Sequence, residues 1–374
     1  MAGIYIHIPF CRQRCYYCDF HSSTFLKNLP ELLYAIKKEI AIEKDYFENE
    51  LIETVYFGGG TPSILKASEI QDIINSILLY HEISPYAEIT FECNPDDLST
   101  DYIHQLKNTD VNRLSIGIQS FDDKQLQAMN RRHSSSQAIG AVKKCQVGGF
   151  DNISVDLIYG LPGMQQDEWQ RNIQKALDLN IQHISAYHLT FEQGTVFFNH
   201  LKKGRLKEID DEISNQQYKT LIDITGKAGF EHYEISNFAL PGLYSKHNSN
   251  YWKREKYLGV GPASHSFNLK TRHWNVSHNK KYIEGIMMGH PNREIETIDK
   301  VSQFNEFIMT SLRTMWGVNI EYCQNEFGEK QTIRFKKIFQ NYIKQGNAYR
   351  DGNFYKLTQK GLFISDKIIS ELFE

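Results

Sequence analysis

Three cysteines close together carry the most legible chemistry in this chain. Cys11, Cys15 and Cys18 are spaced C-x3-C-x2-C behind the run Tyr5-Ile6-His7-Ile8-Pro9-Phe10. Thiols at this spacing cannot share one helix face, but a loop can wrap them around one small object. Soft thiolates select zinc, copper(I) or an iron-sulfur cluster. A structural zinc takes four protein ligands, and no fourth Cys or His follows at regular spacing. His21 stands nearby without a second ligand pair. A cluster held by protein alone needs four cysteines, so three suit a four-iron cluster with one iron open to a small molecule.

The second feature is Gly58-Gly59-Gly60-Thr61-Pro62. It lacks the Gly-Lys-Ser/Thr that would make it a phosphate-binding loop. Glycines let the backbone approach a ligand and present its N–H and C=O groups. Standing after a second strand, with the cysteines after the first, this turn reads as part of one ligand site. Of the other cysteines, Cys145 and Cys323 read as small buried hydrophobes. Cys93, beside Glu92, faces either the interior or the packed outside and has no assigned cluster role.

Both features follow strands in a regular rhythm. Strands are predicted at Ile4–Ile8, Leu51–Phe57, Ala87–Phe91, Arg113–Ile118, Asn152–Ile158 and His183–Leu189. Helices are predicted between and after them, at Leu29–Asp45, from a Ser68 cap through Leu78, at Thr100–Leu106, Asp123–Met129, Ser136–Val147, Asp167–Leu179 and Asp210–Ala228. Six strand-loop-helix units in about 230 residues indicate a mainly parallel sheet. The polar and glycine-rich segments fall just after the strands, the edge where barrel folds build their sites. An incomplete barrel is the first reading and an open doubly-wound sheet the alternative.

The rhythm stops near residue 230. His247-Asn248-Ser249-Asn250-Tyr251-Trp252 reads as a polar loop, and Tyr257–Ser266 as a glycine-bearing loop or strand end. Helices are predicted at Val301–Trp316, Phe335–Gln345 and Gly361–Leu372, with a hairpin turning at Asp351-Gly352. Helices with a small hairpin suggest a winged-helix-like module, a shape that proves no function.

Bulk properties narrow the class. A chain of 374 residues exceeds one ordinary core. A net charge of −3 gives no basic field, so charge lends no support to a nucleic-acid partner. The aromatic content, 13%, suits core packing or a pocket for a large flat ligand. No signal peptide and no apolar run of about 18 residues are visible. Six cysteines make no disulfide scaffold, and a cytoplasmic location is predicted.

The cysteine motif, with Tyr17 before its last member, resembles the radical S-adenosylmethionine (SAM) superfamily. The resemblance implies an open iron that binds the amine and carboxylate of SAM, and a glycine turn that holds the methionyl amine. Tyr5-x-His7-Ile8-Pro9-Phe10-Cys11, Gly58–Pro62, Glu92-Cys93-Asn94-Pro95, Gly117-Ile118-Gln119-Ser120 and Asp156–Pro162 together resemble the oxygen-independent coproporphyrinogen III oxidase family over nearly the whole chain. By position that family's SAM pocket falls on Tyr5, Tyr17, Gly59, Gly60, Thr61, Glu92, Gln119, Arg131 and Asp156. Glu92 and Asp156 can accept from ribose hydroxyls or an amine, and Arg131 can fork a carboxylate. Taken alone, Tyr5 is a strand aromatic and Asp156 a helix N-cap. The fold implied is an α/β, incomplete (β/α)6 TIM-like barrel over residues 1–230. A barrel-associated extension carrying a heme-binding motif takes 231–295, and a helical, winged-helix-like domain takes 296–374.

Two departures from the oxidase are visible. Phe20 stands where its pattern has a further cysteine, and its N-terminal extension is missing. Both departures, with His247-Asn248-x-x-Tyr251-Trp252, resemble the HemW branch of heme chaperones. That branch implies heme held near His247, Tyr251 and Trp252, with His232 and His265 competing as iron ligands. It also implies transfer to acceptor hemoproteins, including respiratory membrane proteins reached by peripheral membrane attachment. An electron donor such as flavodoxin or ferredoxin, and a homodimer, go with it. The competing function is radical decarboxylation of coproporphyrinogen III. A structural metal protein or nucleic-acid binder is the third.

Overall fold

The computed structural model describes residues 2–374. Twelve strands form one sheet. The six expected units are β1 (Ala2–Ile8), α1 (Leu29–Ile42), β2 (Ile52–Gly59), α2 (Ala67–Leu78), β3 (Ile83–Cys93), α3 (Thr100–Lys107), β4 (Arg113–Gln119), α4 (Asp123–Ala128), α5 (Ser135–Val147), β5 (Ile153–Tyr159), α6 (Gln166–Leu177), β6 (His183–His188), α7 (Val196–Lys202) and α8 (Asp211–Lys227). The extension adds β7 (Glu231–Glu234), β8 (Asn237–Ala239), α9 (Lys246–Trp252), β9 (Lys256–Val260), β10 (His265–Phe267), β11 (Thr271–Asn275), α10 (Asn279–Met287) and β12 (Arg293–Thr297).

The strand order is β12-β11-β10-β9-β1-β2-β3-β4-β5-β6-β8-β7. From β1 to β6 each strand lies beside its predecessor, so the chain never reverses direction across the sheet. This excludes the doubly-wound alternative, which requires a switch point. The parallel run is longer than expected, because β9 pairs in parallel with β1. The strands at both flanks are antiparallel. The Tyr257–Ser266 segment, expected as a loop or strand end, supplies most of β9 and the start of β10. Its strand character comes from pairing with β1, about 250 residues away in the chain, which local propensity does not report.

Strand alternation creates the interior. On β4, Arg113, Ser115, Gly117 and Gln119 share one face, while Leu114, Ile116 and Ile118 are buried in the apolar core. The same alternation on β1, β2, β3, β5 and β6 turns Tyr5, Tyr56, Glu92, Asp156 and Ser185 toward one cavity. The other face packs against the helices.

Some expectations are corrected. Ser68 does not cap α2. The helix starts at Ala67 with Lys66 as its N-cap, two residues earlier, and Glu69 accepts the backbone N–H of Lys66 (2.8 Å). Asp156 caps no helix and lies within β5. His247 lies in the helix α9 rather than a loop.

The C-terminal part contains α11 (Lys300–Leu312), β13 (Val318–Asn319), α12 (Ile320–Phe327), α13 (Glu329–Lys344), β14 (Ala348–Asp351), β15 (Phe354–Leu357), α14 (Gln359–Leu362) and α15 (Ser365–Leu372). Its core is separate, built around Phe304, Phe335, Phe339 and Ile368. The hairpin turns at Gly352-Asn353, since Asp351 already pairs with Phe354, and Gly352 takes the positive φ (58°) such a turn needs.

Candidate functional site

The cysteine loop leaves β1 at the strand's C-terminal end and is pinned on several sides. Cys11 N–H donates to Ser23 O (3.0 Å) and Ser23 N–H to Pro9 O (2.9 Å). Tyr16 N–H reaches Met129 O (3.1 Å), and Phe197 N–H of α7 reaches Tyr16 O (2.9 Å). Asn130 and Gln13 exchange side-chain bonds with the backbone across the gap. The loop is therefore closed on itself at Pro9 and Ser23 and held from outside by Met129–Asn130 and by α7.

All three thiols line one cavity of about 530 Å³, together with Tyr5, Tyr17 and Phe20. All three sulfurs have donors, that of Cys18 being the Phe20 backbone N–H. Thr61 Oγ1 donates to Cys11 Sγ (3.3 Å), and Arg131 Nη1 to Cys15 Sγ (3.3 Å). Burial pushes the Cys11 thiol up, and the Cys18 thiol up to about 11. A metal group bound here must therefore displace protons. Three thiols on one loop, with N–H and O–H donors at sulfur, suit in their chemistry an iron-sulfur cluster with one open iron.

The glycine turn is close-packed against this loop. A Cβ on Gly60 would lie 2.6 Å from Phe10 O and 2.8 Å from Phe10 N, which are backbone atoms. Gly59 has φ +111°, and a Cβ there would strike the His7 ring. Gly60 N–H donates to Ile8 O (2.8 Å), so β1 and the turn are joined at the cysteine end.

Polar side chains of the strands line the cavity. Tyr56, which sequence reading passed over, donates to Glu92 Oε1 (2.7 Å). Burial, and then the charge of Asp156, push Glu92 up to about 7 against the bonds from Tyr56 and Gly59. Burial also raises Asp156, which accepts from Ser115 Oγ (3.1 Å). Gln119 lines the cavity with φ +71°, a conformation that β-strand residues rarely adopt. Arg131 is less available for a carboxylate than expected. Its Nη2 donates to Asn94 Oδ1 (2.7 Å) and Gly117 O (2.6 Å), and only Nε is buried without a partner.

The expected heme residues divide. His247 and Tyr251 line the same cavity, and Trp252 does not. The His247 Nδ1 pairs with Thr54 Oγ1 (2.7 Å) and its Nε2 with the Tyr251 hydroxyl (2.9 Å). Its ring stacks on Tyr56 at 5.1 Å. Burial, and then Arg113, depress it to about 3, so the imidazole is neutral. His232 stacks on Phe238 (4.4 Å) and shares Nε2 between Tyr218 and Ile235 O. His265 is exposed on β10 and stacks on Trp274 (5.7 Å). Neither lines the cavity.

Arg113, Ser115, His183, Ser185 and Tyr187 also line the cavity and were not singled out from sequence. Their signal was present as period-two polarity in Arg113-x-Ser115-x-Gly117-x-Gln119 and His183-x-Ser185-x-Tyr187.

Residues 5–176 match the radical SAM superfamily. The heme chaperone HemW of Lactococcus lactis subsp. lactis (strain IL1403) is 33% identical over 371 residues, covering 98% of this chain and 96% of that protein. The heme chaperone HemW of Bacillus subtilis (strain 168) is 34% identical over 374 residues, covering 98% of each. Among solved structures, the Escherichia coli coproporphyrinogen III oxidase HemN, a radical SAM enzyme, superposes with a TM-score of 0.85 at 19% identity. The match covers 100% of this chain and 90% of that one. At that identity the likeness carries the fold alone, an α/β radical SAM-type fold with an added C-terminal region.

Proposed function

Because this chain belongs to the HemW family of radical SAM proteins, we propose that it is a heme chaperone, which binds heme and passes it to acceptor hemoproteins. The observation that carries this reading is one cavity shared by the three-cysteine loop and the His247–Tyr251 face of α9.

In this reading Cys11, Cys15 and Cys18 hold a four-iron cluster, and Thr61 and Arg131 donate to its thiolates. Tyr5, Tyr17, Gly59, Gly60, Glu92, Gln119 and Asp156 hold SAM. When both are bound, the cluster supplies SAM with one electron and with it radical chemistry. Glu92 and Asp156 offer buried carboxyls to hydroxyl or amine donors. His247 offers a neutral imidazole, and direct iron ligation would exchange its Tyr251 bond for the metal. Trp252 is half-buried outside the cavity lining, and its Nε1 is buried without a hydrogen-bond partner.

The barrel takes residues 1–230, the heme-motif extension 231–295 and the winged-helix-like module 296–374. Acceptors include respiratory membrane hemoproteins, approached from the cytoplasm by a peripherally attached homodimer, with a flavodoxin- or ferredoxin-type donor reducing the cluster. Among the described residues no helix is long and apolar enough to cross a membrane.

Anaerobic reconstitution followed by parallel assays tests the reading. Heme should move from the loaded chain to an apo-hemoprotein, while coproporphyrinogen III with SAM and a reductant stays unconverted. Formation of protoporphyrinogen IX would replace the chaperone with the oxidase. His247→Ala should alter the heme spectrum and weaken binding; an unchanged spectrum and affinity would remove His247 as the ligand.

A further inference from the structure

Arg113 opens β4 at the end of the strand away from the cysteine loop. Gln119, at the other end, lies about 20 Å along the strand at ~3.3 Å per residue. Arg113 is 2% exposed, yet it lines the cavity. Its Nε is buried without a hydrogen-bond partner, and among the described residues its guanidinium makes no hydrogen bond at all. Its one ion pair is loose, with Nε 3.9 Å from Glu88 Oε2.

Glu88 is engaged elsewhere. Its Oε2 accepts Lys246 N–H and its Oε1 accepts His247 N–H, each at 3.0 Å, so this carboxylate holds the start of α9. Asp156, the other acid near the guanidinium, accepts from Ser115. Arg131, the second arginine of the cavity, makes three hydrogen bonds through Nη1 and Nη2 and keeps only Nε unpartnered. A buried guanidinium is ordinarily paired and hydrogen-bonded, because desolvation is costly. Its planar fork matches a carboxylate.

We propose that Arg113 is a carboxylate-recognition site at the deep end of the cavity, and that its ligand is a propionate of the bound porphyrin. The assignment of the propionate rests on the heme-chaperone reading. The other source of a carboxylate is the methionyl group of SAM. A SAM molecule held at the cysteine loop, as the proposed function has it, would keep that group away from Arg113.

The full chain, as wild type, Arg113→Gln and Arg113→Lys, is titrated with heme, heme dimethyl ester and SAM. Wild type should prefer heme over the ester by about tenfold or more, the worth of a charged hydrogen bond. Arg113→Gln should erase that preference while leaving ester and SAM affinities unchanged, and Arg113→Lys should restore part of it. Equal weakening of heme and ester would assign Arg113 a structural role and overturn the proposal, as would unchanged heme affinity. A loss confined to SAM would assign the carboxylate to SAM and overturn the propionate. Wild type that binds neither porphyrin would overturn this proposal together with the chaperone reading. Wild type that binds heme and ester equally would overturn this proposal alone.

Discussion

Single residues set the electronic and protonic character of this cavity. Thr61 donates to Cys11 Sγ from the rim of the glycine turn. Hydrogen bonds to cluster sulfurs raise the reduction potential by stabilising the added charge. Thr61→Val keeps the shape and removes the donor. It should leave iron content unchanged and move the potential in the negative direction, read by a redox titration. Glu39 of α1 acts through protons instead. It is buried and accepts from Tyr282 of α10, Gly261 after β9 and Asn275 of β11, which join α1 to the extension. Burial raises it from 4.5 to about 7. Between those values the folded chain binds a proton that the unfolded chain has released. The associated stability is full below about pH 4.5 and is lost as pH rises through about 7. Glu39→Gln lacks this slope. Its melting temperature should gain on wild type as pH rises from about 5 to about 8; parallel curves would refute the shift.

Elements matter here through how closely they meet. The glycine turn can lie against the cysteine loop only because Gly60 has no side chain. An added Cβ would press on the Phe10 backbone at 2.6 Å, and backbone cannot swing aside. Gly60→Ala should therefore displace Phe10 and Cys11 together. The expected result is a folded chain, by far-UV circular dichroism, with iron and sulfide incorporation severely reduced. Full incorporation would mean that the loop adapts. The helix α9 is a second example. Glu88 on β3 holds its first turn, and Thr54 on β2 holds His247. Two neighbouring strands thus fix the helix that lines the cavity.

The whole molecule consists of two hydrophobic cores joined by a polar and aromatic seam. Met315 N–H donates to Tyr233 O (2.9 Å), and Glu306 of α11 bonds Arg272 (2.9 Å). Trp316 packs between Tyr233 and Tyr244, with Lys253 over its ring at 4.7 Å. The C-terminal part therefore braces α9 and β7 from outside. Trp316→Ala should cost about 2 to 3 kcal/mol of stability. Urea denaturation should become less cooperative, with the C-terminal core melting first. A sharp single transition at the wild-type midpoint would show that the seam contributes nothing.

Sequence alone determined the features that depend on near neighbours. The spacing of Cys11, Cys15 and Cys18, the Gly58–Gly60 turn and the βα rhythm are local, and so were readable. Polar alternation in Arg113-x-Ser115-x-Gly117-x-Gln119 was readable too, though its meaning was not. Whether a polar strand face meets water or a closed cavity depends on strands far away in the chain. For the same reason the parallel pairing of β9 with β1, and the buried helix in place of a polar loop at His247, emerged only in three dimensions. Tertiary structure also decided which side chains are already engaged. Arg131 carried the expected fork but is largely consumed by Asn94, Gly117 and Cys15. Arg113 went unremarked, yet it retains its hydrogen-bonding capacity in a buried place. Partners in space, more than residue type, decide whether a buried charge is free to bind.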